Sequence, residues 1–529
     1  MKRSILKITL ATLGVLSIAS CTDLELEDTD SVTRESTDGG FDGVSNVEGS
    51  INNAYNTIQG HLQTQENLYA LQEATSDELL IPTRGTDWGD NGVWRTLHQH
   101  NWDATHPFIL NTWNNFNSSV FSLTEIIETS DASAAQVAEA KVLRAFSMYW
   151  IIDLFGQVPF RGVNEGPDVN PMVMSRSEAF NFAMNDLQEA LPELPSNGPG
   201  ANTNRASKAL ANFLLAKMYL NKHIYLGTGS PTTEDMNQVI DHVDAISADG
   251  FALQSGFFQI FEPDVDVSDT EIIFRTNYGA DARMWSTLHY NQGTPGQPPG
   301  GWNGFTTLAE FYDLFEGDPQ VNVPDSGQEE RRGFVPTSGN NAQAGDLDED
   351  GDGFEDGSYI GYGFLINQQY DLDGSELTDR TGNPLAFTKE LPALVGNNER
   401  TGIRLLKYHP SDGAYPGNLI VFRYADAHLM KAEAIHRGGT SGESAIGLIN
   451  ELRELREATP LASITDQDIL DERGRELYME FTRRQDQIRF GTYTSTWSFK
   501  DNTEAFRVLF PIPSTALTSN PNLVQNEGY

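Results

Sequence analysis

The stretch "VAEAKVLRAFSMYWIIDLF", residues 137–155, constrains this chain more than any other. It contains no glycine or proline, and after Ala145 apolar side chains occupy nearly the whole circumference of a helix. Such a helix has no face for water, so other elements must enclose it. Ser133 and Gln136 stand at capping-box spacing before it, and it stops at Gly156. Ser175 and Glu178 offer the same cap to a helix near 176–191. Between 205 and 222, Ala206, Leu210, Phe213, Leu214 and Met218 recur at three- and four-residue steps. Further helices are expected near 233–247, 421–436, 444–458 and 466–490, the last with Leu470, Gly474, Leu477, Phe481 and Ile488 on one face.

Apolar spacing such as "ALANFLLAKMYL" is that of tetratricopeptide helix pairs, which stack because one pair alone cannot bury its apolar face. The period is irregular and the strict repeat consensus is absent. The expected fold is mostly α, a tetratricopeptide-like helix-pair scaffold. Between about 251 and 420 the chain turns rich in Gly, Pro, Asn and Asp, with short apolar runs such as "EIIFRT". That predicts an inserted loop-rich lobe carrying a few short strands.

The first twenty residues differ from all of this. Lys2, Arg3 and Lys7 precede an apolar run and the small residues Ala19 and Ser20, the pattern of an export signal. It ends at Cys21, the one cysteine, as "SIASC", which is similar to a bacterial lipobox and predicts lipidation of Cys21. Residues 21–45 are acidic and Gly/Ser/Thr-rich, as a flexible tether would be, and 46–529 then form a single domain. No other segment is apolar enough to span a bilayer, so a lipid is the expected membrane attachment.

The chain carries 75 acidic and 35 basic residues, a net charge of −40; without the three signal bases it is 75 against 32, or −43. A field of that sign repels nucleic acid and polyanions and suits neutral partners.

Several motifs have residue types that could carry chemistry. "DLDEDGDGFED" sets Asp348, Asp350, Asp352 and Asp356 at relative positions 1, 3, 5 and 9 with Gly353 at 6, the oxygen-ligand spacing of a Ca²⁺ loop. Position 12 is Tyr359, not the bidentate Glu, so a structural Ca²⁺ site and a solvated acidic loop both remain open; no other cofactor is expected. His98, His100 and His106 lack further ligands at zinc spacing and read as hydrogen-bonded loop residues. Serine-nucleophile, Walker and Rossmann motifs are absent. The ladder "ERGRELYMEFTRRQDQIRFG", 472–491, reads as a structural ion-pair face in which Glu480 and Arg484 have helix-pair spacing.

Aromatic and polar residues cluster twice in turn-rich text. One cluster holds Asp77, Arg84, Asp87, Trp88, Asn91, Trp94 and Trp102, and the other Trp285, Tyr290, Trp302 and Asn303. Indole and phenol rings match the apolar C–H faces of pyranoses, while Asp, Asn and Arg match their hydroxyls. Two indoles in the loop "TRGTDWGDNGVW" are either folded-back core plugs or a ligand platform.

The 472–491 ladder also resembles the C-terminal signature of the SusD/RagB family of surface glycan-binding lipoproteins of Bacteroidota. "AEAKVLRAFSMYWIIDLFGQVPF", "FRYADAHLMKAEAI", "INELRELR" and the ending "FPIPSTALTSNPNLVQNEGY" are similar to further family segments, in the expected order. Region 251–420 shares only "GGWNG". The resemblance implies a non-catalytic lipoprotein at the outer cell surface that hands a glycan to a SusC-like TonB-dependent transporter. It implies, by chain order with starch-binding members, that Asp77, Arg84, Trp102 and Trp302 line the sugar site, with Trp302 and Trp102 exposed on one face; Trp285 is a looser match. A neutral polysaccharide or oligosaccharide, glucan first, is the expected ligand, with starch, laminarin (a β-1,3-glucan) and levan all open. The alternatives are a surface glycoside hydrolase and a peptide-binding member of the same family.

Overall fold

The computed structural model describes residues 40–261, 269–293, 298–318, 327–335, 337, 360–371, 374–408 and 417–529. Cys21 and the acidic run with Asp348, Asp350, Asp352 and Asp356 lie outside the described residues. The chain divides into two units, Met1–Asp42 and Gly43–Tyr529, and every element below belongs to the second.

That unit opens with helices α1 (Val47–Gln63), α2 (Asn67–Glu73), α3 (Val93–His98), α4 (Pro107–Ile127) and α5 (Ala134–Phe155). An antiparallel strand pair, β1 (Gln157–Phe160) and β2 (Met172–Ser175), leads to α6 (Arg176–Ala190), α7 (Lys208–Tyr225) and α8 (Thr233–Ala248). Helix α5 is the all-apolar segment, and every residue from Val142 to Phe155 is buried. Helices α4 and α6 flank it, and α7 packs on α8. The two charged side chains that α5 buries are paired: Arg144 with Asp186 at 2.7 Å and Asp153 with Arg484 at 2.6 Å. Both expected capping boxes form, at Ser133–Gln136 and Ser175–Glu178, each worth about 1 kcal/mol. Gly156 ends α5 at φ 73°, a conformation costly for other residues.

Helices α1 and α4 were not evident from the sequence. "NTWNNFNSS" in α4 has poor intrinsic helix formers; burial of Phe108, Ile109, Trp113, Phe116, Val120 and Leu123 overrides them.

The loop-rich lobe contains β3 (Ile272–Arg275), α9 (Asp281–Thr287), α10 (Ala309–Tyr312), β4 (Gly333–Phe334), β5 (Tyr362–Leu365), β6 (Asn367–Gln368), β7 (Ala386–Phe387) and β8 (Arg404–Leu406). β9 (Ile420–Arg423) pairs with β3, β5 lies between β4 and β8, and β6 pairs with β7, all antiparallel.

Helices α11 (Tyr424–His436), α12 (Ala445–Leu455), α13 (Asp466–Leu477), α14 (Arg483–Arg489) and α15 (Ser514–Ser519) complete the scaffold, with α11 packed on α8 and α12. The single helix expected over 466–490 is instead two. Met479 and Phe481 sit at φ 63° and 61°, which an α-helix does not contain. Two buried carboxyls hold that turn: Glu78 Oε1 accepts the Met479 N–H and Glu73 Oε1 the Phe481 N–H, each at 2.5 Å. The break also undoes the expected Glu480–Arg484 pair. Glu480 instead binds Arg423 at 2.7 Å and Lys407 at 2.5 Å. The rest of the ladder is structural. Glu472 meets Arg331, Arg453 and Arg475, and Glu476 meets Arg331, Arg423 and Arg456, all buried. These pairs tie α13 to α12, to β9 and to the turn before β4.

Candidate functional site

"GGWNG", 300–304, is shaped by contact on both sides of its tryptophan. A Cβ on Gly301 would lie 2.2 Å from the Leu288 carbonyl oxygen, and one on Gly304 would lie 2.4 Å from the Trp88 indole. Only glycine permits those approaches. Asn303 between them adopts φ 52° and is fully buried. Its amide N–H donates to the Glu399 carbonyl, its side-chain oxygen accepts from Arg404 Nε at 2.8 Å, and its main-chain carbonyl accepts from Arg84 Nε at 3.0 Å. The Trp302 N–H donates to the Trp285 carbonyl at 2.7 Å, and the Trp88 Nε1–H donates to the Trp302 carbonyl at 2.7 Å. With the backbone and Asn303 so engaged, the Trp302 side chain projects outward and is 40 % exposed.

Beside it stands a second polar group. The Tyr290 hydroxyl donates to Asp87 Oδ2 at 2.8 Å, and the Arg380 guanidinium lies over the Tyr290 ring, 3.7 Å from its centroid. Arg380 also pairs with Asp87 at 2.7 Å and Glu399 at 2.5 Å. Against the upward push of partial burial, hydrogen bonds from Arg380 and Tyr290 hold the Asp87 carboxyl below its ordinary value, and Arg380 does the same for Glu399. The loops that carry Asp87, Tyr290, Arg380 and Glu399 are thereby stitched together.

Several expected site residues are elsewhere or otherwise employed. Trp102 is only 2 % exposed: its Nε1–H donates to the Tyr529 hydroxyl at 2.7 Å and its ring lies 4.7 Å from that of Phe510. It is a core plug locking the C-terminus, so the expectation of two exposed indoles fails for it. Trp94 is buried, with its N–H on Asp90, and Trp88 packs edge-on against it as a half-buried buttress under Trp302. Asp77 is consumed by Arg483, whose Nε and Nη2 reach it at 2.7 and 2.8 Å.

Arg84 is 2 % exposed and binds the carbonyls of Asn303, Asn398 and Thr401. Burial pulls its guanidinium down to about 9. It rivets the loops together from beneath and has no free face for a sugar. Asn303 is buried for the same structural reason. Trp285 is half-buried at the end of α9, and Tyr290 has one ring face covered by Arg380. Arg380 and Glu399 escaped sequence reasoning because their loops, "TDRTGN" and "NNER", carry no aromatic residue.

The three histidines bind carbonyls, His98 to Ser498, His100 to Thr75 and His106 to Val93, and no metal-ligating cluster occurs among the described residues.

Comparison with known proteins places this architecture. The profile described as "SusD family" matches residues 270–529, and one described as "Starch-binding associating with outer membrane" matches 63–205. The chain is 28% identical over 435 residues to the starch-binding protein SusD of Bacteroides thetaiotaomicron, covering 76% of this chain and 74% of that one. It is 24% identical to SusD-like protein P25 of Formosa agariphila, covering 80% of each. Among solved structures, a laminarin-binding SusD-like protein superimposes with a TM-score of 0.65 at 20% identity, covering 92% of this chain and all of that one. Surface glycan-binding protein A from Bacteroides thetaiotaomicron, in complex with laminarihexaose, gives 0.65 at 17% identity over 91% of this chain and 98% of its own. At those identities the structural likeness establishes the fold.

Proposed function

This chain belongs to the SusD/RagB family, and we propose that it captures a neutral glycan, a glucan first, by stacking a pyranose ring on Trp302. Members of the family are non-catalytic carbohydrate-binding proteins. The single observation that carries the assignment is the outward indole of Trp302, held by Gly301, Asn303, Gly304 and Trp88 in a place where no core requires it. Sugar C–H faces against an indole bury apolar area, and the surrounding hydrogen-bonding groups suit hydroxyls.

The charges of the face favour an uncharged ligand. Its exposed cation, Arg380, is already shared between two carboxylates, and the whole chain repels polyanions. Those carboxylates also make poor hydrolytic acids, since Arg380 holds both below the ordinary range when a general acid needs a raised one. The relatives that are named for starch and laminarin support a glucan. In this account Cys21 carries the lipid that holds the protein at the outer surface, and the captured glycan passes to a SusC-like TonB-dependent transporter.

The test is affinity electrophoresis of the purified protein against starch, laminarin, levan and a uronate polymer, with a reducing-end assay on each. Retardation by a neutral glucan and no new ends is the expected result. Retardation by the uronate polymer alone, or protein-dependent new ends, would overturn it.

A further inference from the structure

Glu73 and Glu78 are both fully buried, and their carboxyls lie within hydrogen-bonding reach of each other. Each spends one oxygen on the turn between α13 and α14. Glu78 Oε1 accepts the Met479 N–H, and Glu73 Oε1 accepts the Phe481 N–H. The other oxygen of each is sealed from water, and neither Oε2 meets a donor among the described residues. Two carboxylate oxygens cannot bond each other without a hydrogen between them.

The cations that face the pair are engaged elsewhere. Arg283 of α9 lies over the Tyr69 ring and donates to the carbonyls of Leu62, Gln63 and Thr64. Lys407, just after β8, is paired with Glu480, and Arg483 of α14 with Asp77. The phenols beside the pair, Tyr69 and Tyr478, are kept neutral by burial. Two adjacent charges in such a place repel strongly, so one proton stays between them. Burial and the Glu73 charge hold the Glu78 carboxyl far above its ordinary value, while Glu73 ionises at about 7, so Glu78 is the partner that keeps the proton.

Two chains of contact run from this pair to Trp302. Along the backbone, the Glu78 carbonyl accepts from Thr307 Oγ1 at 2.7 Å, and two residues on Leu80 and Thr306 exchange both main-chain bonds, at 2.7 and 2.9 Å. Thr306 and Thr307 continue the segment that begins at Trp302. Through the rings, Phe481 packs edge-on against Tyr69 with centroids 5.5 Å apart, and Tyr69 stacks on Phe305 at 5.8 Å. Phe305 lies 6.3 Å from Trp88, whose indole N–H holds the Trp302 carbonyl. A shift of either carboxyl therefore reaches the backbone that carries the exposed indole.

We propose that Glu78 is a positioning residue of the glycan site, whose carboxyl donates its proton to Glu73 and through that bond fixes the segment that aims Trp302; this rests on the glycan assignment of Trp302.

The experiment is calorimetric titration of the full chain with laminarin and amylopectin, using Glu78→Gln, Glu78→Leu, Thr307→Val and Trp302→Ala, alongside infrared difference spectra at pH 8. Glu78→Gln keeps an acceptor for Met479 and an N–H for Glu73, so it should bind within about twofold of wild type. Glu78→Leu, measured below its melting transition, should bind about tenfold more weakly. Thr307→Val cuts one bond of the backbone route without touching the acid pair, and should weaken binding about threefold. The wild-type minus Glu78→Gln spectrum should show the C=O stretch of a protonated carboxyl. Absence of that band, or equal losses in Glu78→Gln and Glu78→Leu, would overturn the proposal. So would wild-type affinity in both Glu78→Leu and Thr307→Val, or in Thr307→Val alone if Glu78→Leu does not fold. Those results, with binding lost in Trp302→Ala, would leave the glycan site standing. Wild-type affinity in Trp302→Ala, or no binding by the wild type, would overturn both.

Discussion

The indole N–H of Trp88 donates to the main-chain carbonyl of Trp302 at 2.7 Å, while Gly304 lies flat against the same indole. One tryptophan thus positions another. The half-buried ring fixes the loop, and the loop aims the exposed ring.

Trp88→Phe tests that division of labour. It keeps most of the packing but leaves the Trp302 carbonyl without its donor. The expected cost is about 1 kcal/mol in stability, with glycan affinity reduced because Trp302 is less firmly aimed. Wild-type affinity in this variant would show that the bond does not position the site.

Trp102→Ala should behave as a core substitution. Its ring is buried against Phe510 and His100, so truncation should cost about 3–5 kcal/mol of folding free energy. The fraction that remains folded should bind glycan with unchanged affinity, which titration below the melting transition measures.

The pH dependence of stability should have two limbs of opposite sign. Burial pushes the Glu73 carboxyl up to about 7; burial and the nearby Glu73 charge also raise Glu78. An unfolded carboxyl near 4.5 releases its proton sooner, so the stability this pair contributes is full below about pH 4.5 and is lost as pH rises through 7. For Glu433 and Glu472 the upward push of burial is outweighed by Arg489 and by Arg331 respectively, and both are held near 2. Their contribution is present above about 4.5 and is lost as pH falls toward 2. Glu73→Gln retains an oxygen for the Phe481 N–H, and should melt higher than wild type at pH 8 and close to it at pH 5. Thermal melts from pH 2.5 to 8 read both limbs.

Cys21→Ala should leave the protein unlipidated and release it from the outer-membrane fraction. Equal retention of this variant in detergent-free fractionation would contradict the anchor.

The scaffold was legible in the sequence where a local signal had one meaning. Ser133 with Gln136, Ser175 with Glu178, and the all-apolar run to Phe155 each became the element they announced. The break at Met479–Phe481 was not legible, because its cause is a pair of carboxyls some four hundred residues away, Glu78 and Glu73. The site was half legible. Loop composition marked Trp88, Trp94, Trp102 and Trp302 alike, yet burial depends on what folds back onto each ring. Tyr529 covers Trp102, and nothing among the described residues covers Trp302 to that degree. The glycines around Trp302 were the better clue, since Gly301 and Gly304 mark close backbone approach on both sides.

The most direct measurement is calorimetric titration of Trp302→Ala with the neutral glucan that the wild type binds, paired with a thermal melt. Loss of an exposed stacking ring corresponds to about 1–3 kcal/mol, so affinity should fall roughly five- to 150-fold while the melting temperature stays within about 1 °C of wild type. Wild-type affinity in a variant that melts normally would contradict the account.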